Sequence, residues 1–315
     1  MTMPSPRHTE ELFGHHEAEQ CFLNAFQTER LHHAWLISGP AGIGKATLAF
    51  RLARHLLKGD DPMSPTGRRV RAGTHGDLLE ISRQIDPRKG RLRGEITVSD
   101  VQPIQNFLHH TATEGGWRVV IVDGVEFLNR FAANALLKIL EEPPAQTVLL
   151  LTTTAPGALL PTLRSRCRRL ALSPLSDDAM RAVLPHVSMD VIKRAHGSPG
   201  RALFLARDKD GRIAALAQQA LEGQPMESAL WQEIGQLARE ADGFALLCDL
   251  LGEGIAQRAR HAAQHGDLAG AARFAEKKSA LETLRSQTES FSLDKGQAMR
   301  QAFDMVSSLE ASRPL

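Results

Sequence analysis

A glycine-rich turn that ends in a lysine is the part of this 315-residue sequence whose residue types could do the most specific chemistry. Its glycines allow backbone amides to close around a phosphate, and they are Gly39, Gly42 and Gly44. Lys45 could then reach the β and γ phosphates of a nucleotide. The pattern predicts a phosphate loop that can bind ATP or ADP. A well-packed turn that binds nothing is the alternative.

The residue that should hold magnesium departs from this pattern. A full G-x-x-x-x-G-K-[ST] loop needs a hydroxyl directly after the lysine, whereas this sequence has Ala46 there and Thr47 one residue later. Because one residue rotates an α-helix by about 100°, we expect Thr47 to point away from a nucleotide-bound metal. Thr47 remains a candidate for nucleotide binding, but the phosphate loop is degenerate for metal-dependent hydrolysis.

Asp123 is a second position with chemical potential, because it ends the apolar run 119–122. A carboxylate at the end of such a strand can hold the magnesium of a bound nucleotide, although Asp123 could also be a simple turn former. Hydrolysis further needs a residue that orients water, usually a Glu directly after this Asp, and the sequence has Gly124 there. Glu126 is expected to be a solvated charge at a helix start. Since Ala46 and Gly124 both weaken the same step, we expect the chain not to hydrolyse ATP by itself.

The elements that must position these residues alternate along the first half of the chain. Short apolar runs, AWLIS, DLLEIS, RVVIV and TVLLLT, are each followed by turn residues or by a helical pattern. This rhythm is typical of an α/β fold with a parallel sheet, and continuous apolar runs suit strands covered on both faces. Two stretches rich in Pro, Gly and Arg, 60–77 and 86–95, are expected to be surface loops.

The strand signal ends near residue 170, and helical spacing continues to the end of the sequence. We therefore predict three domains. Residues 1–170 would form a nucleotide-binding-like α/β domain, residues 171–211 a small helical lid, and residues 212–315 a C-terminal helical domain with the character of a bundle.

Composition excludes several classes of protein. Lys and Arg number 38 against 36 Asp and Glu, so the overall charge demands no polyanionic partner. The three cysteines are too few and too scattered for a disulfide framework or a four-cysteine zinc site, and they fit a reducing compartment. Apolar runs are too short to span a membrane. We expect a cytoplasmic protein without zinc.

Three segments in order carry a family resemblance: RLHHAWLISGPAGIGKATLA, NRFAANALLKILEEPP and LRSRC. Together they resemble the AAA+ family of bacterial clamp-loader subunits, most closely the delta prime branch of DNA polymerase III. The resemblance covers about half of the chain. It implies an AAA+ P-loop domain, a small helical lid and an all-α collar domain that mediates oligomerisation.

The resemblance also implies a function. The chain would be a non-hydrolysing subunit of the DNA polymerase III holoenzyme, in a hetero-pentamer with ATPase subunits and the clamp-opening subunit. That assembly would load a ring-shaped sliding clamp on primed DNA. Two rivals stay open: an active ATPase subunit of the same loader, and an AAA+ DNA motor of recombination or replication restart.

Site residues follow from the same resemblance. In the family, a Ser-Arg-Cys motif inserts its arginine into the ATP site of a neighbouring subunit, and Ser165, Arg166 and Cys167 match that motif. Arg166 would then be an arginine finger that acts in trans. Spacing alone favours a plain basic turn, since further arginines surround it: Arg164, Arg168 and Arg169.

Two more candidates come from the family pattern. Thr153 falls at the sensor 1 position, although Thr152 and Thr154 leave the register open. Arg201, in GSPGRA, falls where the sensor 2 helix begins, and a helix capped by Ser198 or Gly200 is the alternative.

The chain also departs from many members of the family, which insert a four-cysteine zinc module after the first helix. The corresponding stretch, 58–74, contains no cysteine. Two groups of basic residues are either solvated or weakly DNA-facing: Arg68, Arg69 and Arg71 in the first group, and Arg88, Lys89, Arg91 and Arg93 in the second. His32 and His33 are expected to pack and to form hydrogen bonds rather than to bind metal.

Overall fold

The computed structural model describes residues 5–86, 91–114, 116–208, 210–225, 228–239, 243–291 and 293–308. These residues cluster into two compact units, one that extends to Leu203 and one that starts at Phe204. The predicted domain limits at residues 170 and 211 remain predictions. None of the helices in the described ranges is long and apolar enough to cross a membrane.

A parallel sheet forms the centre of the first unit. The described strands of this unit are β1 (Ala34–Ser38), β2 (Leu78–Ile81), β3 (Ile85–Asp86), β4 (Arg91–Leu92), β5 (Arg118–Val122), β6 (Thr147–Thr153) and β7 (Arg168–Ala171). Five of them pair in parallel in the order β2-β5-β6-β1-β7, and β3 pairs with β4 in a separate antiparallel pair. All seven residues of β6 are buried. The predicted parallel sheet with covered central strands is thus confirmed.

Helices pack on both faces of this sheet, and further short helices follow its last strand. They are α1 (His16–Gln27), α2 (Lys45–Leu56), α3 (Pro65–Ala72), α4 (Val98–His109), α5 (Arg130–Glu141), α6 (Pro161–Ser165), α7 (Asp177–Val183), α8 (Met189–Arg194) and α9 (Pro199–Leu205). Because side chains alternate along a strand, β1 feeds two cores. Trp35 and Ile37 pack with α1 and α2, whereas Ala34 and Leu36 pack with α4 and α5.

The second unit is helical, as predicted. Its helices are α10 (Arg212–Leu221), α11 (Ser228–Leu237), α12 (Gly243–Gln264), α13 (Leu268–Phe291) and α14 (Lys295–Ser307). Apolar side chains from α12 and α14 are buried in its core, among them Phe244, Leu251 and Phe303.

The stretch 60–77 was expected to be a loop, and the structure corrects this. Helix α3 begins after Ser64, whose side chain accepts a hydrogen bond from the amide of Gly67, and ends at Gly73 in the left-handed conformation. These are ordinary helix start and stop signals, and the basic composition concealed them.

Several basic residues of the two suggested patches form ion pairs within the chain. Arg69 pairs with Glu114 and Arg71 with Glu10. In the second stretch Arg93 pairs with Asp100 at 2.7 Å. Arg88 and Lys89 lie outside the described residues, as does the side chain of Arg91.

Candidate functional site

The phosphate loop connects β1 to α2, as the sequence pattern requires. Gly42 and Gly44 have φ angles of +70° and +110°, a conformation that favours glycine. The amide of Gly39 donates to the carbonyl of Thr153 at 3.2 Å, which fixes the start of the loop on β6. The loop therefore leads directly into the N-terminus of α2, where free amides and the helix dipole favour an anion.

Lys45 is buried at the first turn of α2. Its Nζ donates to the carbonyls of Gly39 and Pro40, at 3.0 and 2.8 Å. Burial lowers the pKa of Lys45, and the negative charges of Glu126 and Asp123 partly oppose that shift. The ammonium group thus lies within the loop, in the field of two carboxylates.

The segment that contains Arg201 packs directly on the phosphate loop. Ser198 Oγ donates to the carbonyl of Ala41 at 2.8 Å, and the amide of Gly200 donates to the carbonyl of Gly42 at 2.9 Å. A Cβ atom on Gly200 would lie 2.8 Å from the Cα of Gly42, so only glycine fits there. Sequence reasoning missed this contact, although two glycines flanking Ser-Pro are a signal of close backbone approach.

Arg201 itself is held by α8 and by the residue before its own helix. Its Nε donates to the carbonyl of Arg194 at 3.2 Å, and its amide donates to Ser198 Oγ at 3.3 Å. Ser198 thus caps the helix, as the alternative interpretation proposed. The sensor 2 role of Arg201 stays a prediction.

A cavity of about 580 Å³ lies beside the phosphate loop. Its lining is mainly apolar and includes Phe13, Ile43, Thr47, Leu175 and Leu184. His15 also lines it and donates from Nε2 to the carbonyl of Ile43 at 3.0 Å. Burial lowers the pKa of His15, which favours a neutral ring. The cavity has room for a nucleoside whose phosphates bind the loop. Thr47 lines this cavity, and its role in nucleotide binding stays a prediction.

The two carboxylates that follow β5 are held by threonines at the end of β6 and directly after it. Thr152 Oγ1 donates to Asp123 Oδ1 and accepts from the amide of Gly124 at 2.9 Å. Thr154 donates to Glu126 Oε1 from its amide at 2.9 Å and from its hydroxyl at 2.6 Å. Two threonines separated by one residue therefore contact different acids, Thr152 contacting Asp123 and Thr154 contacting Glu126.

Thr153, the predicted sensor 1 residue, lies between those two threonines and is fully buried. Its Oγ1 accepts from the amide of Ala155 at 3.1 Å. The contacts of all three threonines that the sequence left open are thus known, while the sensor 1 role of Thr153 stays a prediction.

Glu126 is not the solvated charge that was expected. It is half-buried, and its Oε2 atom is buried with no hydrogen-bond partner among the described residues. Gly124, at a φ of +83°, turns the chain directly after β5 and returns Glu126 to the end of β6. Burial would raise the pKa of Glu126, but hydrogen bonds from Thr154 and Thr153 outweigh it and hold the pKa below its usual value.

Asp123 therefore offers one carboxylate for a nucleotide-bound cation, while the loop and Lys45 offer the phosphate contacts. No group of three or more His, Cys, Asp or Glu side chains within the described ranges is placed to hold a metal ion on its own. His32 and His33 stack on each other and bond to backbone carbonyls, as expected.

The Ser-Arg-Cys segment begins at Ser165, the last residue of α6. Arg166 Nη1 donates to the carbonyl of Thr162 at 3.0 Å, and its Nη2 forms an ion pair with Glu141 Oε1 at 2.9 Å. Ser165 Oγ donates to the same Thr162 carbonyl. Cys167 packs against the core formed with α4 and α5, and burial raises the pKa of its thiol to about 12. Cys167 is thus a packing residue.

The arginines that flank Arg166 lie in α6 and β7 and have different surroundings. Arg164 donates to the carbonyl of Pro156 at 3.4 Å, Arg168 lies over the ring of Trp35, and Arg169 is exposed. Arg166 is the member that is bound between α5 and α6 and still has 35% of its side chain exposed.

Comparison with known proteins places these features in a family. A family profile described as "DNA polymerase III, delta subunit" matches residues 14–176. The delta' subunit of Escherichia coli K12 is 35% identical over 222 residues, which cover 62% of this chain and 61% of that protein. The delta' subunit of Pseudomonas aeruginosa is 42% identical over 143 residues, 43% of this chain and 41% of that protein.

Further relatives are DNA polymerase III subunits of another kind. The tau subunit of Salmonella typhimurium is 30% identical over 244 residues, 74% of this chain and 36% of that protein. Among solved structures, a gamma subunit-related protein of Thermotoga maritima aligns with 93% of this chain and 99% of its own, at 19% identity and a TM-score of 0.48. The chain spans about three fifths or less of the length of the curated relatives named above. The family profile matches more than half of the sequence, and the chain belongs to the family of DNA polymerase III delta subunits.

Proposed function

We propose that this chain is a non-hydrolysing subunit of a bacterial DNA polymerase III clamp loader and supplies Arg166 to the ATP site of a neighbouring ATPase subunit. It would assemble with ATPase subunits and a clamp-opening subunit into a hetero-pentamer that loads a sliding clamp on primed DNA. The helical second unit would be the collar that joins the subunits. Family membership and the ordered motifs support this proposal.

The observation that carries the proposal is that the side chain of Arg166 is partly exposed and has unused N–H donors. The contacts described above use two of the five N–H donors of its guanidinium. A guanidinium suits the charge that develops on a γ-phosphate, and such a finger accelerates hydrolysis by about 10³ to 10⁵. A partly exposed arginine with spare donors is what a neighbouring site would use.

The chain's own nucleotide site supports binding better than hydrolysis. The loop, Lys45 and the adjacent cavity suit ATP or ADP, but Ala46 has no hydroxyl for magnesium and Gly124 has no side chain to orient water. One observation favours the rival, an active ATPase: the buried Oε2 of Glu126, which has no hydrogen-bond partner among the described residues, belongs to a carboxylate close enough to influence Lys45.

One experiment separates the two functions. ATP hydrolysis is measured for the purified chain alone and after mixing with the ATPase subunits of its loader, for the wild type, Arg166→Ala and Arg169→Ala. We expect no turnover by the chain alone, and a stimulation of the mixture that Arg166→Ala removes and Arg169→Ala retains. Arg169 is the matched control because it is an exposed arginine only three residues further along the chain, in β7.

The opposite outcomes are equally clear. Turnover by the chain alone that Glu126→Gln abolishes would establish the active ATPase instead. If the Arg166→Ala variant joins the complex and still stimulates hydrolysis fully, Arg166 does not act in trans.

A further inference from the structure

We propose that Glu141, the last residue of α5, is a positioning residue that holds the guanidinium of Arg166 ready for the neighbouring subunit's ATP. This inference rests on the proposed function, because it assigns a role to Glu141 only if Arg166 acts in trans. Glu141 lies in NRFAANALLKILEEPP, one of the three segments that carry the family resemblance, but that resemblance gave no role to this glutamate.

The guanidinium is held from two helices. Nη2 forms an ion pair with Glu141 Oε1, at the end of α5, at 2.9 Å. Nη1 donates a hydrogen bond to the carbonyl of Thr162, in α6, at 3.0 Å. Because the two contacts come from different helices, they fix both the position and the orientation of the planar guanidinium. Loss of Glu141 would leave one contact, about which the guanidinium could rotate.

The end of α5 that carries Glu141 is itself anchored. His33 donates from Nε2 to the carbonyl of Leu140 at 3.1 Å, and the carbonyl of His33 accepts from the amide of Leu149 in β6. The Leu140 side chain is buried in the core. Burial lowers the pKa of His33, which favours the neutral ring in which Nε2 carries the proton that is donated. Glu141 therefore projects from a fixed helix end.

The partner helix α6 is fixed in the same way. Leu163 is buried in the core that α5 shares, and Ser165 Oγ donates to the Thr162 carbonyl that also binds Arg166. Arg166 is thus attached to a rigid frame, although its own side chain reaches the surface.

The contacts with Glu141 and Thr162 each use one N–H group, which leaves three of the five N–H groups of the guanidinium for a phosphate. Arginine and phosphate can therefore meet without first breaking the ion pair. Ordering a long arginine side chain costs conformational entropy, and a side chain that is already ordered loses less of it in the transition state. The geometry therefore favours a Glu141 that positions Arg166 for the phosphate over a Glu141 that holds Arg166 away from it.

An effect on folding should be small, because ion pairs between exposed side chains add little to stability. Half of the Glu141 side chain and about a third of the Arg166 side chain are exposed. The role of Glu141 should therefore be visible in the rate that Arg166 supports and not in the amount of folded protein.

The test uses the reconstituted loader with the full chain as wild type, Glu141→Ala, Glu141→Gln or Glu142→Ala. Glu142 is the next residue and is exposed. Glu142→Ala is therefore the matched control, because it removes the same charge from the same helix end. The readouts are kcat and KM for ATP in the stimulated mixture, with complex assembly followed by gel filtration.

We expect Glu141→Ala to lower the stimulated kcat about two- to five-fold, with KM and assembly unchanged. Glu141→Gln should fall between Glu141→Ala and the wild type, since an amide oxygen still accepts a hydrogen bond, and Glu142→Ala should match the wild type. In the Arg166→Ala background, Glu141→Ala should have no further effect, because the role of Glu141 passes through Arg166.

Three outcomes would overturn the inference. If Glu141→Ala retains the wild-type kcat while Arg166→Ala is inactive, Arg166 acts in trans without help from Glu141. If Glu141→Ala raises kcat, Glu141 restrains Arg166 instead of positioning it. If Arg166→Ala retains full stimulation, the proposed function fails, and the role of Glu141 fails with it.

Discussion

Gly42 joins the phosphate loop to the segment that precedes α9. Its φ of +70° is strained for any residue with a Cβ, and an added Cβ would lie 2.8 Å from Ser198 Oγ and 3.0 Å from the Cα of Gly200. We expect Gly42→Ala to lower the free energy of unfolding by about 2–4 kcal/mol, because backbone strain and overpacking add. Urea unfolding measures this change.

Gly157→Ala is the control at the residue scale, since no atom lies within 4 Å of a Cβ placed there. It should stay within about 0.5 kcal/mol of the wild type. A Gly42→Ala variant as stable as Gly157→Ala would contradict this prediction, because the loop and residues 198–201 would then separate without cost.

Single residues also show where sequence reasoning succeeds and where it stops. Lys45 and Asp123 lie where the motif spacing places them, because a strand followed by a turn and a helix has few geometries. Glu126 could not be placed in the same way. Its direction depends on one left-handed residue, Gly124, and on Thr154, a partner 28 positions away.

At the scale of elements, α3 lies in the stretch that the sequence predicted to be a surface loop. The helix is held by its own caps and by ion pairs from Arg69 and Arg71 to distant acids. The stretch was predicted to be a loop because its many Pro, Gly and Arg residues are typical of loops. The same stretch also carries the start and stop signals of a helix, in Ser64, Pro65 and Gly73.

Removing the cap of α3 should have a measurable effect. Ser64→Ala deletes the oxygen that accepts from the amide of Gly67 at 3.0 Å, and we expect a loss of about 1 kcal/mol in the free energy of unfolding. Ser279→Ala, at an exposed position within α13, should cause no loss because Ala is the better helix former. Equal stability of the two variants would mean that α3 does not unfold with the rest of the unit.

At the scale of the whole molecule, the sequence predicted the class of fold for a general reason. Covered parallel strands and a helical second half leave strong periodic patterns, and both are present in the structure. Contacts such as Arg166 with Glu141 leave no such pattern, since they join side chains 25 positions apart through the packing of two helices. Their identification needed the fold.

Three histidines give the molecule a pH dependence whose sign can be derived. Burial lowers the pKa of His15, His33 and His75 below the usual 6.5, so the unfolded chain binds these protons at a higher pH than the folded chain does. Stability therefore falls as the pH drops below about 6.5, down to the lowered values in the fold. Hydrogen bonds outweigh burial and hold the pKa of Asp100 and Glu126 below the usual 3.8 and 4.5, so the contribution of these carboxylates is lost only in more acidic solution.

We expect the urea midpoint to be nearly constant from pH 8 to pH 7 and to fall between about pH 6.5 and pH 5, before carboxylate protonation begins. Chemical unfolding at constant ionic strength across this range measures the effect, and NMR titration of the histidine rings assigns it to particular residues. A midpoint that stays constant down to pH 5 would contradict the prediction, because it would require the buried rings to accept protons as readily as rings in the unfolded chain.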